Sequence, residues 1–228
     1  MENIKAVIDS GTMITLSTTC LMNVFREFVK HNQIDLMVPS DVARESVWRP
    51  INNMRFSLNA SRIKYAFTDV LINVVKSTPD IDREKQKILA LANNSFFVNG
   101  KPLALLQLGE AEALALVTTN GARALFIDER TTRSLIENPL RLKEVLEKRQ
   151  DQRISLNQQN IDAFREMFSG LKIFRSVDII AFAFEQNLFD HELDHTTLEL
   201  EAALYATKFS GCAVSEKEID EYMALVRK

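Results

Sequence analysis

The chain has 228 residues, 46% of them hydrophobic and 26% charged, with a formal net charge of −3. That length supports one sizeable domain, or one domain with a helical extension, and the balance is that of a globular chain rather than a disordered one. Its 6 Gly and 5 Pro are too few for long linkers or a turn-rich all-β fold, the charge excludes a strongly basic nucleic-acid coat, and no apolar run reaches the ~18 residues of a membrane span.

The first element, "IKAVI" at 4–8, is a short apolar, β-rich run ending at Asp9, and it reads as a buried strand. "TLSTTCLMNVFREFVKHN" follows with helical apolar spacing at Leu16, Cys20, Val24 and Phe28. "IDLMVP" is a second strand closed by Pro39, and "SDVARESVWRP" a short helix opening on a Ser cap and stopping at Pro50. From about 53 to 95 the chain reads as largely helical, and "NGKP" is a turn. "LLQLGEAEALALV" is a helix starting near Gly109; "NGARALFIDERTTRSLIE" is turn, strand and helix, with Asp128 at the strand's end. "LKIFRSV" is the last strand, and helices complete the chain, the final one starting at Ser215 with a Ser-x-x-Glu capping box.

Strands alternating with helices predict a three-layer α/β/α fold with a central parallel sheet. No repeat or linker divides residues 1–228, so one domain is expected. Cys20 and Cys212 make no disulfide framework, and Asp9 interrupts the apolar stretch a signal peptide needs, so a cytoplasmic protein is expected.

In such sheets ligands bind beyond the carboxyl ends of the strands. Asp9 and Asp128 lie at such ends, and Glu45 just after another. Glu110 and Glu112 sit at the start of an otherwise apolar helix, where a buried carboxylate is costly unless something pairs with it. Carboxylates gathered in one cleft raise each other's pKa, and a hard divalent cation such as Mg²⁺ or Mn²⁺ would neutralise them. Two such ions ~3.5–4 Å apart activate a water and stabilise a leaving oxygen in phosphodiester cleavage. The plainer reading is that helix dipoles favour acids in first turns, and residues two apart on a helix do not share a face.

Together these motifs resemble the PIN domain, a family of metal-dependent nucleases, and its prokaryotic branch with a Gly-Glu-x-Glu-Ala third motif in particular. "AVIDSGTMITL" is similar to the opening strand with its Asp, "MVPSDVARE" to the second motif, and "LGEAEALALVTTNGARALFIDERTTR" to the third and fourth run together. "FRSVDIIAFAFEQNLF" and "LEAALYATKFSGCAVSEKEID" resemble the closing strand and helices. The resemblance implies a PIN-like fold enlarged by extra helices and a metal-dependent endoribonuclease. Asp9, Glu45, Asp128 and one or both of Glu110 and Glu112 would be the Mg²⁺ or Mn²⁺ ligands; the paired glutamates are similar to those of flap endonucleases. Ser10 and Glu129 would flank the site as supporting residues or be ordinary turn residues. Single-stranded RNA would be the substrate; the resemblance leaves open a protein inhibitor or antitoxin and a homo-oligomer. A catalytically inactive RNA- or protein-binding module is the alternative.

Two stretches depart from the family pattern. About thirty extra residues, roughly 139–170, form an expected helical insertion that includes the basic "RLKEVLEKRQDQR". "RSVD" stands where relatives often carry Gly and Thr, so Asp178 either adds a carboxylate near the cleft or caps the next helix. Arg130, beside Asp128, would hold a phosphate or form a salt bridge. Arg44, Arg49, Arg55, Arg62 and Lys64, with Trp48, form either an RNA face or a solvated helical one. "HELDH" at 191–195 matches the H-E-x-x-H zinc pattern, but Asp194 puts a charge where that motif normally buries apolar residues, and the stretch reads as a solvated turn.

Overall fold

The computed structural model describes residues 3–69, 71–189, 193 and 195–226. β1 (Ile4–Ile8) leads through α1 (Ser10–Thr18) and α2 (Met22–His31) to β2 (Ile34–Pro39). The expected single helix through Cys20 is two helices. The Thr19 hydroxyl donates to the Thr15 carbonyl at 2.9 Å, and the Ser17 hydroxyl to Ile14 at 3.0 Å. Such local bonds compete with helix propagation, and Cys20 adopts φ +62° and is exposed instead of packed.

After β2 the chain enters α3 (Ser40–Ala43), which widens into a π-turn at Arg44–Trp48 and a 3₁₀ turn at Pro50–Asn52. Ser40 is inside this helix and makes no cap; Pro39 holds the cap position, since its fixed φ suits a helix entry. α4 (Ser57–Thr68) follows, then β3 (Asn73–Val75), a strand inside the stretch read as helical. β3 is a short edge strand with no fully buried residue, which leaves it no apolar alternation to read.

α5 (Pro79–Asn93) is capped by the Thr78 hydroxyl, which accepts from the Ile81 amide. β4 (Phe96–Val98) and β5 (Lys101–Pro102) then form a hairpin. Asn99 (φ +50°) and Gly100 (φ +76°) supply the left-handed pair that a tight two-residue turn requires. α6 (Leu108–Asn120), β6 (Ala124–Phe126) and α7 (Arg130–Glu137) come next. The insertion is not purely helical: between α8 (Pro139–Gln150) and α9 (Gln158–Met167) it carries β7 (Ile154–Leu156). β7 pairs with β4, completing a small antiparallel sheet ordered β5-β4-β7. β8 (Lys172–Phe174), α10 (Ser176–Glu185), α11 (Thr197–Phe209) and α12 (Glu216–Val226) close the chain.

The main sheet has five parallel strands ordered β3-β2-β1-β6-β8. Strand residues alternate between two cores, as a pleat requires. Ala6, Ile8, Leu36, Val38, Ala124 and Phe126 face one core, with α1, α2, α10 and α11. Val7, Met37, Leu125 and Ile127 face the other, with α5, α6 and α9. The fold is thus a three-layer α/β/α sandwich around a parallel sheet. Strand order runs outward from β1 to β3, then resumes on β1's other side at β6. Connections leaving β1 and β6 diverge to opposite faces, and the crevice between them is where such sheets receive ligands.

Candidate active site

Asp9 and Asp128 follow the two strands at this crevice. The Asp9 amide donates to Phe126 O at 2.9 Å, holding the strand ends in register. Both carboxylate-bearing side chains converge on Gly11: a Cβ there would stand 3.3 Å from Asp9 Oδ2 and 4.0 Å from Asp128 Cβ. Any larger residue at 11 would crowd the acids. Asp9 caps α1, accepting from the Gly11 amide at 3.0 Å, and Ser10 is that helix's first residue. Asp128 is clamped from β8's exit: Oδ1 accepts from the Ser176 amide at 2.7 Å and Oδ2 from its hydroxyl at 2.9 Å. Both aspartates are more than nine-tenths buried.

Glu110 arrives from the opposite face. It is the third residue of α6 and accepts from the Gln107 amide at 2.8 Å in a capping box. Burial pushes its carboxyl up to about 7, the Gln107 bond opposes this, and the charges of Glu129 and Asp9 add to it. Burial likewise raises Asp9, against its bonds from the Gly11 and Ser10 amides, and Asp128 and Glu129 raise it further. Glu129 caps α7 through the Thr132 amide at 2.6 Å. Asp9, Asp128, Glu129 and Glu110 therefore form one mutually repelling group at the switch point.

Glu112 does not join them. It is 2% exposed, among the described residues its Oε1 has no hydrogen-bond partner, and its carboxyl is raised by burial, then by Asp41, with Lys85 opposing and Asp82 and Glu45 adding. It points toward the α3–α5 side, as helix geometry demands of a residue two after Glu110. Glu45 stands between the groups at the surface. Its Oε2 would lie 3.8 Å from a Cβ at Gly109, and Oε1 pairs with Arg49 at 3.3 Å.

Asp178 is a helix cap. It accepts from the Arg175 amide at 2.7 Å, from Arg175 Nε and Nη2 at 3.0 Å each, and from the Tyr222 hydroxyl. Glu218 completes this network at 2.7 Å from Arg175 Nη1. Arg130 is exposed at the start of α7, and among the described residues it has no ion pair. The other basic residues are partly neutralised: Arg44 pairs with Asp41 at 2.9 Å, and Trp48 stacks on Phe67 with centroids 5.8 Å apart. In "HELDH", His191, Glu192 and Asp194 lie outside the described residues, and the His195 ring stacks on Phe184 at 3.9 Å. Sequence reasoning missed Ser176 and the Arg175 network; the signal was the Arg-Ser pair that follows the last strand in "FRSVD".

The donor set suits a hard cation. Every candidate ligand is a carboxylate oxygen, and Mg²⁺ keeps several waters and needs only one or two carboxylates beside a substrate phosphate. Among the described residues no three His, Cys, Asp or Glu side chains stand in a ready-made cage, because Glu110, Glu129 and Asp9 are turned to helix caps. Among the described residues no helix is long and apolar enough to cross a membrane. Comparisons with protein-family models, with curated proteins and with solved structures gave no match for this chain.

Proposed function

We propose that the protein is a PIN-like, Mg²⁺- or Mn²⁺-dependent endoribonuclease acting on single-stranded RNA. The observation that carries this reading is the gathering of Asp9, Asp128, Glu129 and Glu110 in the crevice between β1 and β6, with Asp9 and Glu110 held above their ordinary carboxylate range. Crowded acids are costly in a metal-free cleft and repel phosphates; a cation that the substrate also contacts removes both objections. Asp9, Asp128 and Glu110 would hold the ion, with Glu45 and Glu129 at the rim. The bound ion supplies activation of a water and stabilisation of the leaving oxygen. Ser176 fixes the Asp128 carboxylate through two hydrogen bonds, so that ligand is oriented before substrate arrives. Arg130, beside Glu129 and without an ion pair among the described residues, would hold a phosphate. Cytoplasmic action, a protein inhibitor covering the cleft and self-association belong to the same reading.

One observation favours a binding module instead: Glu110, Glu129 and Asp9 all serve as helix caps, a sufficient structural reason for acids at these positions. The two readings part in one experiment. The enzyme cleaves single-stranded RNA with Mg²⁺ or Mn²⁺ and not in EDTA, and Asp9→Asn and Asp128→Asn each abolish cleavage. Asn at 128 keeps an acceptor for the Ser176 amide, so loss there reports the charge. Absence of cleavage across a broad RNA and DNA panel with Mn²⁺, with RNA binding unchanged by metal, establishes the module.

A further inference from the structure

Away from this crevice, at the far end of α1, α2 and α4 border an open cleft of about 610 Å³. The length of α1 sets the two sites roughly 13 Å apart along that helix. The volume is that of a small-molecule site. Its walls include Asn23, Arg26, Ser61, Arg62 and Tyr65, with Cys20 at the rim.

These side chains are donors, and two are guanidinium groups. Arg26 has a side chain only 14% exposed; it pairs with Asp69 and lies with its guanidinium 5.0 Å from the Tyr65 ring centroid. Its Nε is buried and, among the described residues, has no hydrogen-bond partner. Arg62 Nη1 donates to the Ser17 carbonyl at 2.9 Å, and among the described residues no carboxylate pairs with Arg62. Asp69 therefore offsets one of two fixed positive charges. A partly buried guanidinium left without an anion favours a planar oxyanion ligand, which it grips with two parallel hydrogen bonds. Tyr65 is 60% exposed, so much of its ring is open for a flat partner. Asn23 and Ser61 add neutral hydrogen-bonding groups to the lining.

We propose that this cleft is a binding site for a nucleoside monophosphate, with the phosphate on Arg62 and Arg26 and the base stacked on Tyr65. Aromatic stacking beside a cationic phosphate grip is the usual chemistry for such a ligand. The site is separate from the carboxylate crevice and does not depend on its metal chemistry.

Cys20 makes the idea directly measurable. It is exposed at the rim, whereas Cys212 is buried with its thiol pushed up to about 12, so a thiol reagent reports Cys20 alone. The rate of its reaction with a disulfide reagent is followed while AMP, inorganic phosphate or adenosine is added. AMP is expected to slow the reaction at lower concentration than phosphate does. Arg62→Ala should raise the protecting AMP concentration at least about tenfold, the loss of one charge-assisted contact. Tyr65→Ala should remove the advantage of AMP over phosphate. Asp9→Asn should leave protection unchanged, which keeps this result distinct from the fate of the nuclease reading. Arg62→Lys retains the stem and charge, so if Arg62→Ala melts early it reads the same contact through its lost fork. The proposal is overturned if millimolar AMP leaves the Cys20 rate unaltered, if AMP protects no better than phosphate, or if both Arg62 variants are protected like the wild type.

Discussion

Glu110→Gln removes a charge whose cost comes first from burial and then from the neighbouring Glu129 and Asp9. Glutamine keeps an oxygen for the Gln107 amide, so the helix cap survives while the charge is removed. The carboxyl is raised from 4.5 to about 7, which at ~1.36 kcal/mol per unit would amount to about 3 kcal/mol if undiluted. Glu110 is only partly buried, and solvent screening reduces this to roughly 1–2 kcal/mol. Between these two values the native state binds more protons than the unfolded chain, so wild-type stability falls as pH rises through that window. The variant lacks this fall. Urea unfolding in EDTA should therefore show the two proteins alike near pH 4.5, and the variant more stable above pH 7, with Tm higher by on the order of 2–4 °C per kcal/mol. Excess Mn²⁺ should reverse the order, because a cation stabilises the ionised wild type. A stability difference of equal size at pH 5 and pH 8, or a less stable variant at pH 8, refutes the argument that the charged Glu110 carboxylate is costly in the metal-free crevice.

Ser176→Ala removes the hydroxyl bond to Asp128 Oδ2 and should cost about 1–3 kcal/mol in denaturant unfolding, with cleavage falling further than stability explains. Arg175→Met should destabilise by roughly 3–5 kcal/mol, since Asp178 is left without its buried partner; a loss under ~1 kcal/mol would mean the network is dispensable. Glu218 is drawn down to about 2, against burial, by Ser215 and Arg175, so its stabilisation is complete above its ordinary 4.5 and lost as pH falls toward 2; Glu218→Gln should flatten that acid limb. Replacing His191 and His195 together with Ala should leave metal content and RNA cleavage intact, and loss of stoichiometric zinc would revive the protease-like motif.

The parallel sheet was legible because β1, β2, β6 and β8 are apolar runs with clear stops, and their ends carry the acids that define the crevice. Asp9, Asp128 and Glu110 could be placed together for that reason. What the pattern could not convey was direction of a side chain within one helix. Glu110 and Glu112, two residues apart, cannot share a face, but "GEAEA" does not say which of them turns to the crevice; Glu110 turns there and Glu112 to the α3–α5 side. β3 and β7 were hidden for another reason: each is a short strand set between two longer helices, α4 and α5 for β3 and α8 and α9 for β7, and it reads as part of the helical stretch around it. Ser176 and Arg175 were hidden because their partners, Asp128 and Glu218, lie more than forty positions away in sequence.

The β5-β4-β7 sheet has a consequence for how the chain matures. Its hairpin closes across two residues, while β7 joins from more than fifty positions later. During synthesis the hairpin is therefore complete while the β7-facing edge of β4 still lacks its strand. That edge includes Phe96, fully buried in the finished protein. Unpaired apolar edges recruit other chains, so a chain held on the ribosome before residue 154 exposes an adhesive edge. The residues 139–170 act as the cover that ends this exposure, and fragments stopping short of them should collect in inclusion bodies even though the five-stranded sheet's first strands are all present.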